Sequence, residues 1–277
     1  KAAIGAWGVD LAGMDRAAAP GDDFFRAVSG TWVDTTQIPA DRSDWNGFYV
    51  LSDKADANVR TIAERLGTAP QAAGSVEQLV ADAYATYVDT ARIESLGLAP
   101  FQADLDRFKG LTAIEEVGAA IGEPSLPSNS PIGIAPTVDA RNPNRYTVIV
   151  TQAGLGLPVR DFYLNDAAAF EQVRQAYRAY VEKMLTLVSY PDAAKASASV
   201  VALERRIADA QWPLAKVRNK DLTYNPMTRA ELAAYAPGFP WEAALKTAGL
   251  GAREQFVVRE KDAIKALSAL CAGTPVE

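Results

Sequence analysis

The sequence contains no histidine in 277 residues. That absence removes every Ser-His-Asp or Cys-His relay, every His-ligated zinc and any histidine general base from this chain. A single cysteine, Cys271, excludes an internal disulfide framework and a multi-cysteine metal site. It lies in an Ala/Leu-rich segment, where it reads as a small buried hydrophobe rather than a reactive thiol. No stretch approaches the roughly 18 uninterrupted apolar residues of a membrane span. Lys/Arg-dense runs are also missing and the net charge is −6, which argues against a nucleic-acid partner. No secretory n-region and h-region stand before Lys1, so the protein is expected either to be cytoplasmic or to begin after a removed leader.

What is present has globular composition. The chain is 49% hydrophobic, enough for one large core or two smaller ones. Its pattern is mainly helical. Asp22 or Asp23 is placed to cap a short helix through Phe24-Phe25 that stops at Gly30; the adjacent carboxylates read as a helix start, not a metal or acid–base pair. Ala55, Val59, Ile62 and Leu66 recur at helical spacing over 54–66. Ser75-Val-Glu-Gln78 is a capping box for a helix turning Leu79, Val80, Ala83, Tyr87 and Val88 inward. A third helix covers 101–108, and Thr112-Ala-Ile-Glu115 opens a fourth.

After a Pro/Ser-rich break at 123–131, short strands around Ile132–Val138 and Tyr146–Val150 flank the turn Asp139-Ala-Arg-Asn-Pro-Asn144, predicting one small β-hairpin. Helices follow over 167–188, with Phe170, Val173, Tyr177, Val181, Met184 and Val188 in one stripe, and over 192–211. Thr228-Arg-Ala-Glu231 is a further capping box, Phe239-Pro-Trp241 leads into a short helix ending before Gly249, and a last helix covers 261–270 after Phe256-Val-Val258.

Gly154-Leu-Gly156, after the second strand, invites comparison with a phosphate-binding turn. A dinucleotide fingerprint needs a third small residue and a helix opening at once, but Val159 holds that place behind Pro158. A P-loop needs Lys-Ser/Thr after its last glycine, and none follows. The residues specify a bend, with Arg160-Asp161 free to bridge to backbone or partner groups.

Taken in order, several stretches resemble the neprilysin-like (M13) zinc metallopeptidases. Pro20-Gly-Asp-Asp-Phe-Phe25 and Ser29-Gly30-Thr-Trp32 are similar to that family's amino-terminal signature, although Ser29 stands where Asn is usual. Ile38-Pro39, Trp45-Asn-Gly-Phe48, Asp139-Ala-Arg-Asn142, Gln152 to Pro158, Arg160-Asp-Phe-Tyr163, Leu203-Glu204, Ile207-Ala208, Tyr224-Asn-Pro-Met-Thr228 and Phe239-Pro-Trp241 continue the likeness over essentially the whole chain. The resemblance implies a mainly α fold, a multi-helix domain with one small β-hairpin that corresponds to the family's helical capping domain. Residues 1–40 are expected to pack on a catalytic half and 41–277 to form the capping domain, incomplete at its C-terminal end.

The resemblance also accounts for the missing histidines. The family's zinc site, H-E-x-x-H with a downstream E-x-x-x-D, belongs to a carboxy-terminal half. Thr274-Pro-Val-Glu277 looks like the start of a further helical stretch. The implied parent is a zinc-dependent endopeptidase acting on oligopeptides in an enclosed cleft, periplasmic or secreted, with cytoplasmic location the alternative. The 277-residue chain itself is expected to bind no zinc and to be inactive. Its implied partners are peptide substrates and the catalytic half of the same polypeptide. Vertebrate members carry substrate-contacting arginines where this sequence has Asp44 and Ser52, so those roles do not transfer. Arg42, Trp45, Asn46 and Phe48 are the substrate-cleft candidates, with plain packing the alternative for the same stretch. A non-catalytic helical module that binds peptides or partner chains is the second reading of the whole.

Overall fold

A computed structural model describes residues 8–42, 44–126 and 128–276; parts of the amino-terminal segment, of the Pro/Ser-rich break and of the final tetrapeptide thus lie outside the described residues. The chain divides into two compact units, Lys1–Ser95 and Leu96–Glu277.

In the first unit, α1 (Phe24–Thr35) starts at Asp23, whose carboxylate accepts from the Arg26 N–H at 2.8 Å. The helix does not stop at Gly30. An added Cβ there would lie 2.6 Å from Asp15 Cβ, so this glycine admits the preceding segment against the helix and does not end it. Arg26 ties that segment down through Asp15 (3.1 Å) and also pairs with Asp34. The second helix, α2 (Gly47–Gly67), begins seven residues before the expected start at Lys54 because Asn46 caps it. Ser75 caps α3 (Val76–Val88) by accepting from the Gln78 N–H at 3.1 Å, but the Gln78 amide oxygen accepts from Gly74 and not from Ser75. Helices α2 and α3 pack together. The apolar stripes foreseen on them nevertheless remain exposed: Val59 is 65%, Leu79 66% and Tyr87 80% exposed, and Ala63 is the buried hydrophobe of α2. A short helix absent from the sequence reading, α4 (Thr90–Leu96), spans the division between the units.

The second unit is built around a sheet. A turn of 3₁₀ helix precedes α5 (Gln102–Lys109). Next, α6 (Ile114–Gly122) has its capping carboxylate on Glu116, which accepts from the Thr112 and Ala113 N–H groups at 2.7 and 3.1 Å, one residue beyond the expected Glu115. Strands β1 (Ile132–Asp139) and β2 (Asn142–Gln152) form the foreseen hairpin, longer than expected and bulged between Val138 and Asp139. The hairpin is half of a four-stranded sheet. Strands β3 (Asn225–Thr228) and β4 (Gln255–Val258) complete the order β1-β2-β4-β3, with β4 parallel to β2 and antiparallel to β3. Pro136 and Pro226 stand in the two edge strands, where a missing N–H costs no ladder bond and discourages further pairing.

Helices α7 (Asp161–Leu164), α8 (Ala168–Leu187), α9 (Ala193–Ala210) and α10 (Leu214–Val217) lie between β2 and β3 in sequence. Thr228 caps α11 (Arg229–Tyr235) in the predicted reciprocal box with Glu231. The chain continues through α12 (Trp241–Thr247) and, after β4, α13 (Lys261–Ala272). Val148, Val150, Phe256 and Val258 present one sheet face to a buried cluster with Leu232, Leu245, Ile264 and Leu267. Gly122 lies so close to Ala244 that an added Cβ would overlap its carbonyl oxygen; this approach lets α6 dock on α12. Cys271 is half-buried against the same cluster, and burial pushes its thiol pKa up, which agrees with a packing role.

Candidate functional site

Three of the four cleft candidates come together at the start of α2. Asn46 is extended, and its amide oxygen accepts from the N–H groups of Phe48 (2.9 Å) and Tyr49 (3.4 Å), satisfying donors that a helix start leaves open. The helical turn that follows stacks Tyr49 on Trp45, with ring centroids 5.8 Å apart and planes 6° apart. The Arg42 guanidinium lies 5.3 Å from the Trp45 ring and 5.0 Å from the Tyr49 ring, and its Nη2 is 2.7 Å from Asp53 on the next turns. The cation is thus held by two aromatic faces and a carboxylate. Phe48 stands apart from this group, 84% exposed. The arrangement offers a cationic and aromatic contact surface beside an apolar side chain, and no acid–base pair. Tyr49 and Asp53 were missed by sequence reasoning; their i+4 and i+8 relation to Trp45 was a usable signal once the helix start was placed correctly.

In the second unit, the Gly154–Asp161 corner is a clamp. Gly154 has φ +87°, and a Cβ there would lie 2.6 Å from Pro131 Cα, so both conformation and space require glycine. At Gly156 a Cβ would overlap the Tyr177 hydroxyl. That hydroxyl donates to Glu204 Oε1 (3.0 Å), while the fully buried Tyr163 donates to Glu204 Oε2 (2.7 Å) and accepts from the Leu157 N–H (2.8 Å). Burial, reinforced by Glu204, pushes the Tyr177 phenol up to about 12 and the Tyr163 phenol higher still, so both remain hydroxyl donors at neutral pH. Arg160 bridges to backbone as foreseen, donating from Nε to the Ala208 carbonyl (3.1 Å). Gln152 grips Trp212 reciprocally, donating to its carbonyl (3.1 Å) and accepting from its N–H (2.7 Å).

Beside this clamp, at the carboxyl ends of the parallel strands β2 and β4, is a hollow of about 300 Å³ lined in part by Arg160, Trp212, Arg259 and Glu260. Glu260 is fully buried; its Oε2 accepts from Thr151 Oγ1 (2.8 Å) and the Gln152 N–H (3.1 Å). Its Oε1 has no hydrogen-bond donor, and Arg259 Nε at 3.6 Å is too distant to be one. No sequence motif pointed to Glu260, which acts on residues far from it in the chain, and Leu203-Glu204 entered only as a stretch of the family likeness with no role attached.

Histidine is absent from the sequence, and among the described residues no group of three or more Cys, Asp or Glu side chains could hold a metal. No helix among the described residues is long and apolar enough to cross a membrane.

Comparison with known proteins places the chain in a family. The sequence model of peptidase family M13, in its amino-terminal part, matches residues 20–277. Human endothelin-converting enzyme 1 is 26% identical over 274 residues, which cover 94% of this chain and 35% of that protein. Human endothelin-converting enzyme-like 1 is 22% identical over 286 residues, covering 95% and 36%. The chain therefore spans about a third of the length of these relatives. Among solved structures, the zinc metalloprotease Zmp1 of Mycobacterium tuberculosis in complex with inhibitor superposes with a TM-score of 0.81 at 31% identity, over 97% of this chain and 42% of that one. PepO of Lactobacillus rhamnosis shares the fold, with a TM-score of 0.66 at 20% identity over 93% of this chain and 41% of that one. The signature at 20–32, the hairpin, the glycine corner and the capped helices thus share one explanation: the chain belongs to peptidase family M13.

Proposed function

We propose that this chain is the amino-terminal helical part of a zinc-dependent metalloendopeptidase that hydrolyses oligopeptides within an enclosed cleft, and that it forms the wall restricting substrate entry. The observation that carries this reading is the family match over 20–277 together with the 0.81 TM-score to Zmp1. In this reading residues 1–40 pack on the catalytic half, 41–277 form the capping domain, and the parent is exported to the periplasm or secreted. The zinc belongs to the parent's other half, where it would polarise the attacking water; this chain supplies binding and exclusion. The exposed apolar stripes of α2 and α3 support a role in which a partner surface covers them. Arg42, Trp45 and Asn46 shape the entrance to α2, and Phe48 offers the apolar contact to a passing peptide.

The test is hydrolysis of internally quenched peptides of increasing length by the polypeptide of the complete coding sequence. Chelator-sensitive cleavage that falls off above a limiting substrate size is expected, with Phe48→Ala raising KM about two- to tenfold at constant kcat. A coding sequence without H-E-x-x-H, or cleavage indifferent to substrate size, would overturn the reading.

A further inference from the structure

The second unit covers one face of its sheet with helices and leaves part of the other as a groove. Register puts Thr137 opposite Thr147 and Ile149 opposite Val257, so these four residues share a face. They help line a groove of about 530 Å³. Its floor mixes methyl groups and hydroxyls, and its rim carries Arg141, Lys220 and Arg259 against one acid, Asp221. This excess of cations contrasts with a chain whose net charge is −6.

The rim is built from below. Asp139, 1% exposed, accepts from the Tyr224 hydroxyl (2.9 and 3.2 Å), from the Arg141 N–H (2.9 Å) and from Arg145 Nε (2.9 Å). The anchored Tyr224 ring carries the Arg141 guanidinium at 4.4 Å. This contact with the ring face positions the guanidinium but leaves its N–H donors unused. Arg259 is held near the buried Glu260 without being consumed, since their contact is an ion pair at 3.6 Å and not a hydrogen bond. Two guanidinium groups with open donors and an exposed ammonium therefore surround a floor that suits side-chain and main-chain atoms of a polypeptide.

We propose that this groove binds an extended, carboxylate-rich segment of a partner polypeptide, its acidic side chains pairing with Arg141, Arg259 and Lys220 while its backbone lies over Thr147 and Ile149. Two guanidinium groups match carboxylates geometrically. The half-apolar floor offers nothing to an inorganic anion. A polyphosphate backbone would demand a longer run of cations than the rim supplies.

The experiment is fluorescence anisotropy of the chain with a labelled dodecapeptide of alternating Glu and Thr, with its Gln/Thr counterpart and with inorganic polyphosphate. Saturable binding of the acidic peptide alone is expected, weakening with salt. The double variant Arg141→Gln/Arg259→Gln should weaken it about tenfold, and Arg178→Gln/Lys183→Gln on the exposed surface of α8 should leave it unchanged. Amide shifts on peptide addition should centre on Thr147 and Ile149, a readout on the unaltered chain that does not depend on any variant's folding. Absence of saturable binding, equal loss in both double variants, preference for polyphosphate, or shifts confined to other surfaces would each overturn the proposal.

Discussion

Helices α2 and α3 of the first unit and α12 and α13 of the second carry apolar residues at the same helical spacing, yet these residues end in opposite environments. Val59, Ile62 and Leu79 are 65%, 48% and 66% exposed, whereas Leu245, Ile264 and Leu267 are each 0% exposed. The difference is not in periodicity but in what lies opposite. The second unit has a sheet whose inward face supplies Val148, Val150, Phe256 and Val258 as a common partner. Among the described residues the first packs helix against helix, with Ala63 as the buried hydrophobe of its longest helix. Periodicity therefore identifies an apolar face without identifying what covers it.

The largest expected effect belongs to the sheet core. Phe256→Ala should cost about 3–5 kcal/mol, through lost burial and an unfilled cavity, whereas Ile62→Ala should cost under about 1 kcal/mol because its side chain is already half in water. Denaturant midpoints of the two variants test this directly, and equal losses would show that α2 is covered in solution. Gly122→Ala is next, at about 1–3 kcal/mol of overpacking against the Ala244 backbone. Gly67→Ala, with nothing within 4 Å of an added Cβ, should be neutral or slightly stabilising. A thermal-melt comparison separates them.

Removing the helix cap by Asn46→Ala should cost about 1 kcal/mol and loosen the Trp45–Tyr49 stack, read as a change in Trp fluorescence. The effect that pH resolves best concerns Asp139. The Arg141 N–H, then the Arg145 guanidinium and the Tyr224 hydroxyl, outweigh desolvation and hold its carboxyl at about 2, below the usual 3.8. A lowered folded-state pKa means that this contribution is present in full above the unfolded value and is lost as pH falls towards about 2. The stability gap between the wild-type chain and Asp139→Asn should therefore close between about pH 4 and pH 2. A gap that persists at pH 2 would assign the effect to packing.

Legibility in the sequence followed the range of the interaction. Asp23, Ser75 and Thr228 announced their helices because a cap and its recipient N–H lie three residues apart. The glycine corner was legible as a bend, and the turn after Asp139 as the tip of a hairpin. Gly30 was misread because a glycine that admits a neighbouring segment has the same letter as one that ends a helix. The start of α2 was misplaced because the expected period began at Ala55, while Asn46 had already satisfied the first N–H groups. Of the cleft candidates, the grouping of Arg42, Trp45 and Asn46 is local to one helix start. Whether that surface meets a peptide is a question no local pattern answers.

By itself the sequence determined a mainly helical chain, its caps and turns, one hairpin and membership of a peptidase family, all of which depend on neighbours a few residues apart or on motifs in order. Only the tertiary structure inserted β4 between β2 and β3, brought Glu260 to Thr151 across 109 residues, and set Glu204 between two tyrosine hydroxyls. The physical reason is that burial of one sheet face rewards any strand of suitable pattern. Which distant strand fills the gap is decided by packing and hydrogen-bond satisfaction summed over the whole unit, not by the propensity of the strand itself.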